Sequence, residues 1–465
     1  MNTSSKSLSG RSDILYSLVI TSDTNYPWTP EMDNYQSSTQ SESDKERISE
    51  NLIREQYHSI NTYTDGMPNS SILMNGDITA FGHKWQWNKM NKLLKILKRP
   101  YYYGLGNHDI ENNIDDCVGN GCFLQSMDYL VSFINRLKLP KSQVDFSLTR
   151  TSTTTRKSYL GSFSYAMDFG YIYSIQLNNF PTMKVKRNSP VSPHPGIDMF
   201  PNFKWIEDQL RYASNLGKII IVNIHKPDEW NKFAHPSGPN QYFMDLLKQY
   251  DVTAVFCGHY HRECGNKTYR YSNYFNGIPV FLSGSASQRT YLIAEYNKNS
   301  LDVYSIRDNN LNNKKLEESI STGHKKPTGP YQIVTALNND SVIDLNKANN
   351  NIILWGNHGG NNQKWMFVYN AEKKAYQIKS VWNDDLVIAW IIDTPYSLKV
   401  QAHRNEYKEE HYWILEDTEN GYCIIRNYKN KNMVLDIDNG KTEKGTIIKL
   451  SPVGMTTSQI FKLTL

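Results

Sequence analysis

Short apolar runs with little polar alternation recur through the first part of the chain, at residues 18–21, 71–75, 101–104, 171–176, 219–224, 254–257 and 280–283. Runs of this kind predict strands covered on both faces. Between them, apolar residues fall at helical spacing over 46–55, 84–96, 124–137 and 203–213. Strands and helices layered in this way predict an α/β domain whose sheets are covered by helices. The pattern breaks after residue 307. Residues 308–329 (DNNLNNKKLEESISTGHKKPTG) are polar and charged and are expected to be a linker. Residues 1–12 are polar and Ser-rich and are expected to form a flexible tail.

From residue 330 to 465 the chain repeats itself. Tyr-x-Ile openings stand at Tyr331, Tyr376 and Tyr422, separated by 45 and 46 residues. An apolar-acidic step or its equivalent follows each one: Ile343-Asp344, Ile388-Ala389 and Leu435-Asp436. The units close on Gln363-Lys364-Trp365, His411-Tyr412-Trp413 and Gln459-Ile460-Phe461, spaced by 48 residues each time. Three units in one frame predict a closed, three-fold all-β module.

A chain of 465 residues with 39% hydrophobic and 21% charged residues is globular and long enough for two or three domains. A net charge of +5 without a Lys/Arg run argues against a nucleic-acid partner. No apolar stretch reaches the ~18 residues of a membrane-spanning helix. The first apolar run, 14–20, is too short for a signal-peptide core and leads directly into Ser22-Asp23. Export would then need a non-classical route or lysis; otherwise the protein is cytoplasmic. Five cysteines form no disulfide framework. From the residues alone, Cys117 and Cys122 read equally as loop thiols or as a small disulfide.

Directly after the buried runs come Asp23-Thr24-Asn25, Gly76-Asp77, Gly106-Asn107-His108-Asp109, His225 and Gly258-His259-Tyr260-His261. The carboxyl ends of strands are where an α/β sheet places its binding crevice. Carboxylate and amide oxygens with neutral imidazoles suit Mn, Fe or Zn, and the absence of thiolates argues against a structural zinc cluster. Two ions sharing one carboxylate can clamp a phosphoryl group and generate a nucleophile from water.

In this order the five groups resemble the calcineurin-like metallophosphoesterases, over roughly residues 13–307. The resemblance implies a four-layer α/β/β/α sandwich binding two divalent metal ions (Mn, Fe or Zn). It implies that Asp23, Asn25 and His261 hold the first metal, that Asp77 bridges, and that Asn107, His225 and His259 hold the second. His108 would be the proton donor, oriented by Asp109. Asn25 departs from the usual His, so the first metal is expected to bind loosely. Asn112-Asn113-Ile-Asp-Asp-Cys117, Gln176-Leu-Asn-Asn179 and Ser283-Gly-Ser-Ala-Ser287 are similar to a secreted branch of that superfamily, which implies a Cys117–Cys122 disulfide and work outside the cell.

The closing triplets resemble the ricin B-type β-trefoil lectins. Trp365, Trp413 and Phe461 would then be core, and the first repeat would bind sugar through Asp344, Trp355, His358 and Asn362. Ala389 leaves the second repeat without its acid, and Ser451 leaves the third without its aromatic ring. Together these readings predict a phosphoesterase, with diesters favoured over monoesters, carried to glycans by its trefoil. The rival is a carbohydrate-binding lectin or toxin component with a degenerate phosphoesterase scaffold, for which Asn25 is the sequence argument.

Overall fold

The computed structural model describes residues 13–34, 38–150, 157–188, 194–230, 238–297, 299–322, 330–370, 372–394, 396–418 and 422–464. The expected tail and the end of the expected linker, 323–329, lie outside them. Two compact units divide the chain: the first comprises residues 1–210 and 219–324, and the second 325–465 with the short segment 211–218.

The first unit opens with β1 (Tyr16–Thr21), α1 (Glu42–Asp65), β2 (Ser70–Asn75), α2 (Lys84–Leu93), β3 (Tyr101–Gly104) and α3 (Gly121–Leu137). It continues through β4 (Val144–Arg150), β5 (Lys157–Asp168), β6 (Ile172–Gln176), β7 (Val185–Arg187), β8 (Gly196–Met199) and α4 (Phe203–Asn215). Then come β9 (Ile219–Asn223), α5 (Pro239–Gln249), β10 (Ala254–Cys257), β11 (Cys264–Asn266), β12 (Val280–Ser283), β13 (Tyr291–Tyr296), β14 (Ser300–Arg307) and β15 (Asn310–Ser321). One sheet runs β15-β14-β13-β1-β2-β3; the other runs β11-β12-β10-β9-β6-β5-β8-β7, with β4 beside β5. The sheets stack with helices outside, giving the four-layer α/β/β/α arrangement.

The first strand shows why its apolar run is unbroken. Val19 packs in one cluster with Ile53, Tyr57 and Ile60 of α1, while Leu18 and Ile20 join Ile219, Ile221 and Phe256 of the second sheet. Successive side chains of one strand thus serve two apolar layers. Strands β1, β2 and β3 are parallel, as are β6, β9, β10 and β12. The carboxyl ends of each parallel set therefore lie along one edge of its sheet.

The linker reading needs correction. Residues 310–321 are not a connector: they form β15, antiparallel to β14. Asp308 and Asn309 both take left-handed backbone, φ 56° and 50°, the two-residue reversal that suits strand twist. An edge strand whose side chains are mostly open to water tolerates polar residues, so its composition read as a loop. Helix α1 also outruns its expected limits, because Ser41 caps it by accepting the Asp44 amide proton on Oγ.

The second unit contains β16 (Gln332–Thr335), β17 (Ser341–Leu345), β18 (Ile352–Gly356), β19 (Trp365–Asn370), β20 (Ala375–Ser380), β21 (Leu386–Trp390) and β22 (Val400–Arg404). It ends with β23 (Trp413–Asp417), β24 (Cys423–Asn427), β25 (Met433–Ile437), β26 (Ile448–Pro452) and β27 (Phe461–Thr464). Strands β16, β27, β24, β23, β20 and β19 follow one another, and a Tyr331–Trp365 bridge joins the last to the segment entering the first. The hairpins β17/β18, β21/β22 and β25/β26 meet pairwise through Ile353–Ile447, Asn351–Gln401 and Lys399–Lys449. A closed barrel with three mutually touching hairpins is a β-trefoil. Trp365, Trp413 and Phe461 are fully buried in its core, and the two indoles donate to Ile343 and Ile388 carbonyls at 3.1 and 2.7 Å.

Candidate functional site

Seven expected metal-ligating residues sit just past β1, β2, β3, β9 and β10. Four of them, Asp23, Asn25, Asp77 and His259, hold left-handed backbone at φ 52°, 43°, 54° and 76°. Such conformations are costly for non-glycine residues and concentrate at functional sites. Gly76 is the necessary neighbour: at φ +86°, a Cβ there would lie 2.6 Å from the Gly106 nitrogen and 2.9 Å from Nδ1 of His225.

Acceptor atoms converge at the centre of this cluster. Oδ1 of Asn107 lies 2.9 Å from Nε2 of His225 and 2.9 Å from Nδ1 of His259. The same Nε2 is 3.1 Å from Oδ2 of Asp77, which is buried without an aligned hydrogen bond. The other nitrogen of His225 donates to the Asn75 carbonyl at 2.7 Å, so a neutral ring turns the lone pair of Nε2 toward the two oxygens. Lone pairs facing one another in a buried space require a cation between them, either a proton or a metal. Ligand atoms of Asp23, Asp77 and His225 all fall within 4.8 Å of one another, spacing that can hold a metal ion. Without one, burial opposes the charge on His225, but Asp77 and Asp23 outweigh it and raise its pKa to about 9. Burial and the neighbouring His225 lower His259 to about 4. Asp77, despite its burial, is held below the usual carboxylate range by His225 and His108.

Around Asn25 the donor set is weaker. Its Oδ1 is buried and unpartnered, and its Nδ2 lies 3.0 Å from Nε2 of His261. That nitrogen is also 3.3 Å from Oδ1 of Asp23, whose carboxylate accepts the His259 amide proton at 3.0 Å. The far side of His261 reveals a residue that sequence reasoning missed. Nδ1 of His261 donates to Oδ1 of Asp33 at 2.5 Å, and Asp33 also accepts from Trp28, Ser287 and Gln288 at 2.6–2.7 Å. Burial opposes the charge on His261, but Asp23 and Asp33 raise its pKa to about 10. No motif marked Asp33, which stands on a short turn apart from every strand end.

Sequence reasoning assigned Asp109 to orient His108, and the structure corrects this. Nδ1 of His108 lies 3.0 Å from the Ala80 carbonyl, its hydrogen-bond partner. Asp109 is buried and occupied by the backbone amides of Ile78, Thr79 and Gly106 and by the Thr79 hydroxyl, at 2.8–3.1 Å. Its carboxylate ties the loop after β2 to the loop after β3. The His108 amide donates to Oδ1 of Asp77 at 2.8 Å, and the Trp28 ring stands edge-on to both His108 and His261, 5.0 and 5.5 Å between centroids. Lys226, the neighbour of His225, is mostly buried and paired with Glu111 and Glu229. Cys117 and Cys122 are joined by a disulfide.

On the trefoil, Asp344 is buried, and its two oxygens accept from Asn362 at 2.9 Å and Gln363 at 2.8 Å. Nε2 of His358 is 3.4 Å away. Trp355 stands opposite Val342 on the hairpin, 37% exposed, with the Lys444 ammonium 5.9 Å from its ring centre. In the third repeat Gln459 likewise holds Asp436, at 3.0 Å, and leaves its Oδ1 unpartnered. Both acids thus anchor the closing triplet to its hairpin.

The sandwich with its Asp, Asn and His residues gathered at strand ends is a phosphoesterase scaffold, here joined to a lectin-type trefoil. The chain belongs to the calcineurin-like phosphoesterase family, whose model matches residues 17–263, and residues 361–451 match the ricin-type beta-trefoil lectin domain-like family. Among curated relatives, pierisin of Pieris brassicae is 36% identical over 112 residues, covering 23% of this chain and 13% of that protein. The main hemagglutinin component type C of Clostridium botulinum C phage is 30% identical over 138 residues, covering 27% of this chain and 46% of that protein. The chain thus spans less than half the length of these relatives. A mosquitocidal holotoxin structure aligns over 33% of this chain and 19% of its own, with 21% identity and a TM-score of 0.31.

Proposed function

We propose that this protein hydrolyses a phosphoester, a diester in preference to a monoester, at a centre for two divalent ions of the Mn, Fe or Zn class. The observation that carries the reading is the convergence of Asp77 Oδ2, Asn107 Oδ1, His225 Nε2 and His259 Nδ1. Asp23, Asn25 and His261 would hold the first ion, Asp77 both, and Asn107, His225 and His259 the second. The ions would supply positive charge to the phosphoryl oxygens and a nucleophile from water at neutral pH. His108, fixed through Nδ1 to the Ala80 carbonyl, delivers a proton from Nε2 to the departing oxygen. Trp28 crowds both His108 and His261 and limits water on that side of the cleft.

The trefoil would bring the enzyme to glycans through Trp355 and the polar groups around Asp344, one weak site whose avidity depends on clustered sugars. Work outside a reducing cytosol is supported by the Cys117–Cys122 disulfide. The test is turnover of a chromogenic diester and monoester after metal stripping, with Mn²⁺, Fe²⁺, Zn²⁺ or Mg²⁺ restored. Turnover that needs metal and disappears in Asp77→Asn is expected. No turnover with any metal, from folded protein, would sink the enzyme reading. The second reading, a glycan-binding toxin component with a silent scaffold, would then take its place. Asn25, which turns an amide nitrogen toward His261, and the names of the relatives, a hemagglutinin component among them, favour it.

A further inference from the structure

A second cluster of ligand atoms lies outside this centre, where the loop before α2 meets the loop before α3. His83 is the residue immediately before α2, and its Nδ1 lies 3.2 Å from Sγ of Cys122 and 4.0 Å from Sγ of Cys117. All three ligand atoms fall within 4.8 Å of one another. The cysteines are five residues apart with Cα atoms 5.6 Å apart, so one short loop presents both sulfurs to one imidazole. Sulfur and imidazole without a carboxylate is a donor set for soft cations, the reverse of the oxygen-rich set at the strand ends.

We infer that His83, Cys117 and Cys122 form a redox-gated site for a soft divalent cation of the zinc class. In the disulfide form neither sulfur carries the charge a metal requires. A dithiol reductant donates two electrons and two protons, breaks the S–S bond and itself closes to a disulfide, leaving two thiols. The cation then displaces both thiol protons and is held by two thiolates and Nδ1 of His83. Three protein ligands leave the fourth tetrahedral position for water. The other cysteines among the described residues, Cys257, Cys264 and Cys423, are buried and form no disulfide. Burial raises the thiol pKa of Cys257 and Cys264, which makes both poor competitors.

The site adjoins the proton-donor loop. A Cβ on Gly82 would stand 2.5 Å from Nδ2 of Asn113 and 3.1 Å from the Cys122 carbonyl, and that same Nδ2 donates to the carbonyls of His108 and Asp109 at 2.8 Å. A cation at His83 would therefore clamp the loop before α2 to the loop that carries His108, Asp109 and Asn113.

The test uses Cd²⁺ on the full chain, because sulfur-to-cadmium charge transfer absorbs in the ultraviolet and the oxygen-nitrogen centre has no sulfur to give it. Oxidised protein and protein reduced with a dithiol, then freed of it under argon, are titrated in parallel. Reduced protein is expected to take up one Cd²⁺ more than oxidised protein, with a thiolate band. That band should vanish when both sulfurs are removed in Cys117→Ser/Cys122→Ser, and His83→Ala should weaken the added affinity at least about tenfold. Equal stoichiometry in the two redox states, or a band that survives in Cys117→Ser/Cys122→Ser, would overturn the assignment. If that double variant does not fold, His83→Ala decides alone, and unchanged affinity in it overturns the site.

Discussion

Asp33 accepts the Nδ1 proton of His261 at 2.5 Å, so an imidazole on the β10 loop is aimed by a carboxylate on the separate short turn Met32–Asn34. With that nitrogen engaged, a neutral ring keeps its lone pair on Nε2, beside Asp23 and Asn25. A carboxylate behind a metal-ligating imidazole fixes its tautomer and raises its basicity. Asp33→Asn is therefore expected to weaken the first metal about 10- to 100-fold while the second is little changed. Competition against a chromophoric chelator reads this directly. Equal weakening of both ions would instead mean that the whole crevice has shifted.

His108 and Asp109 are adjacent but separate in role. His108→Gln removes the proposed proton donor. It should lower kcat about 10²- to 10⁴-fold for esters with an alkoxide leaving group, and much less for a nitrophenolate that leaves unaided. Asp109→Asn should act on stability, because an amide nitrogen would face donors that now bond a carboxylate. Losing such bonds costs about 1–3 kcal/mol, measurable by urea unfolding. Per folded molecule, Asp109→Asn should keep the parent's ratio of kcat between alkyl and nitrophenyl esters. A ratio that falls as in His108→Gln would restore the orienting role that the hydrogen bonds deny.

The motif at each strand end was legible because a two-sided buried strand leaves an apolar run, and the polar group that follows it stands out. The same logic hid Asp33, whose turn follows no strand, and β15, whose residues are polar because it is an edge. The expectation for Asp109 failed for another reason. Sequence adjacency placed it beside His108, but adjacent side chains leave a loop in different directions, and only the positions of Ile78, Thr79 and Gly106 show where its oxygens go. The closed three-fold module was readable from spacing, since closing residues such as Trp365 and Trp413 must recur wherever the barrel closes, and the resemblance of the closing triplets made it a trefoil.

On the trefoil, Trp355 is where the proposed glycan binding can be separated from folding. Its ring is 37% exposed, whereas Asp344 is buried and bonded to Asn362 and Gln363. Trp355→Ala is expected to reduce retention on immobilised glycans about tenfold or more without lowering the unfolding midpoint. Asp344→Ala should lower both, with a stability cost of about 1–3 kcal/mol from the stranded amides. Glycan retention unchanged in Trp355→Ala would place the sugar elsewhere on the module.

In the proposed two-ion centre, Asn25 would decide how tightly the first ion is held. It is fully buried, and its φ of 43° suits Asn and is tolerated by His among non-glycine residues. Asn25→His offers an imidazole in place of an amide oxygen, a better ligand for Zn, Mn or Fe. The larger ring must fit a packed space, at a cost of about 1–3 kcal/mol. The two effects pull apart in two measurements. Metal-free protein should unfold at a lower temperature than the parent, while in loaded protein the time needed for a chelator to abolish turnover should lengthen about tenfold. Faster inactivation in Asn25→His would mean that the crevice is shaped around the shorter amide, and that the Asn is the ligand this site requires.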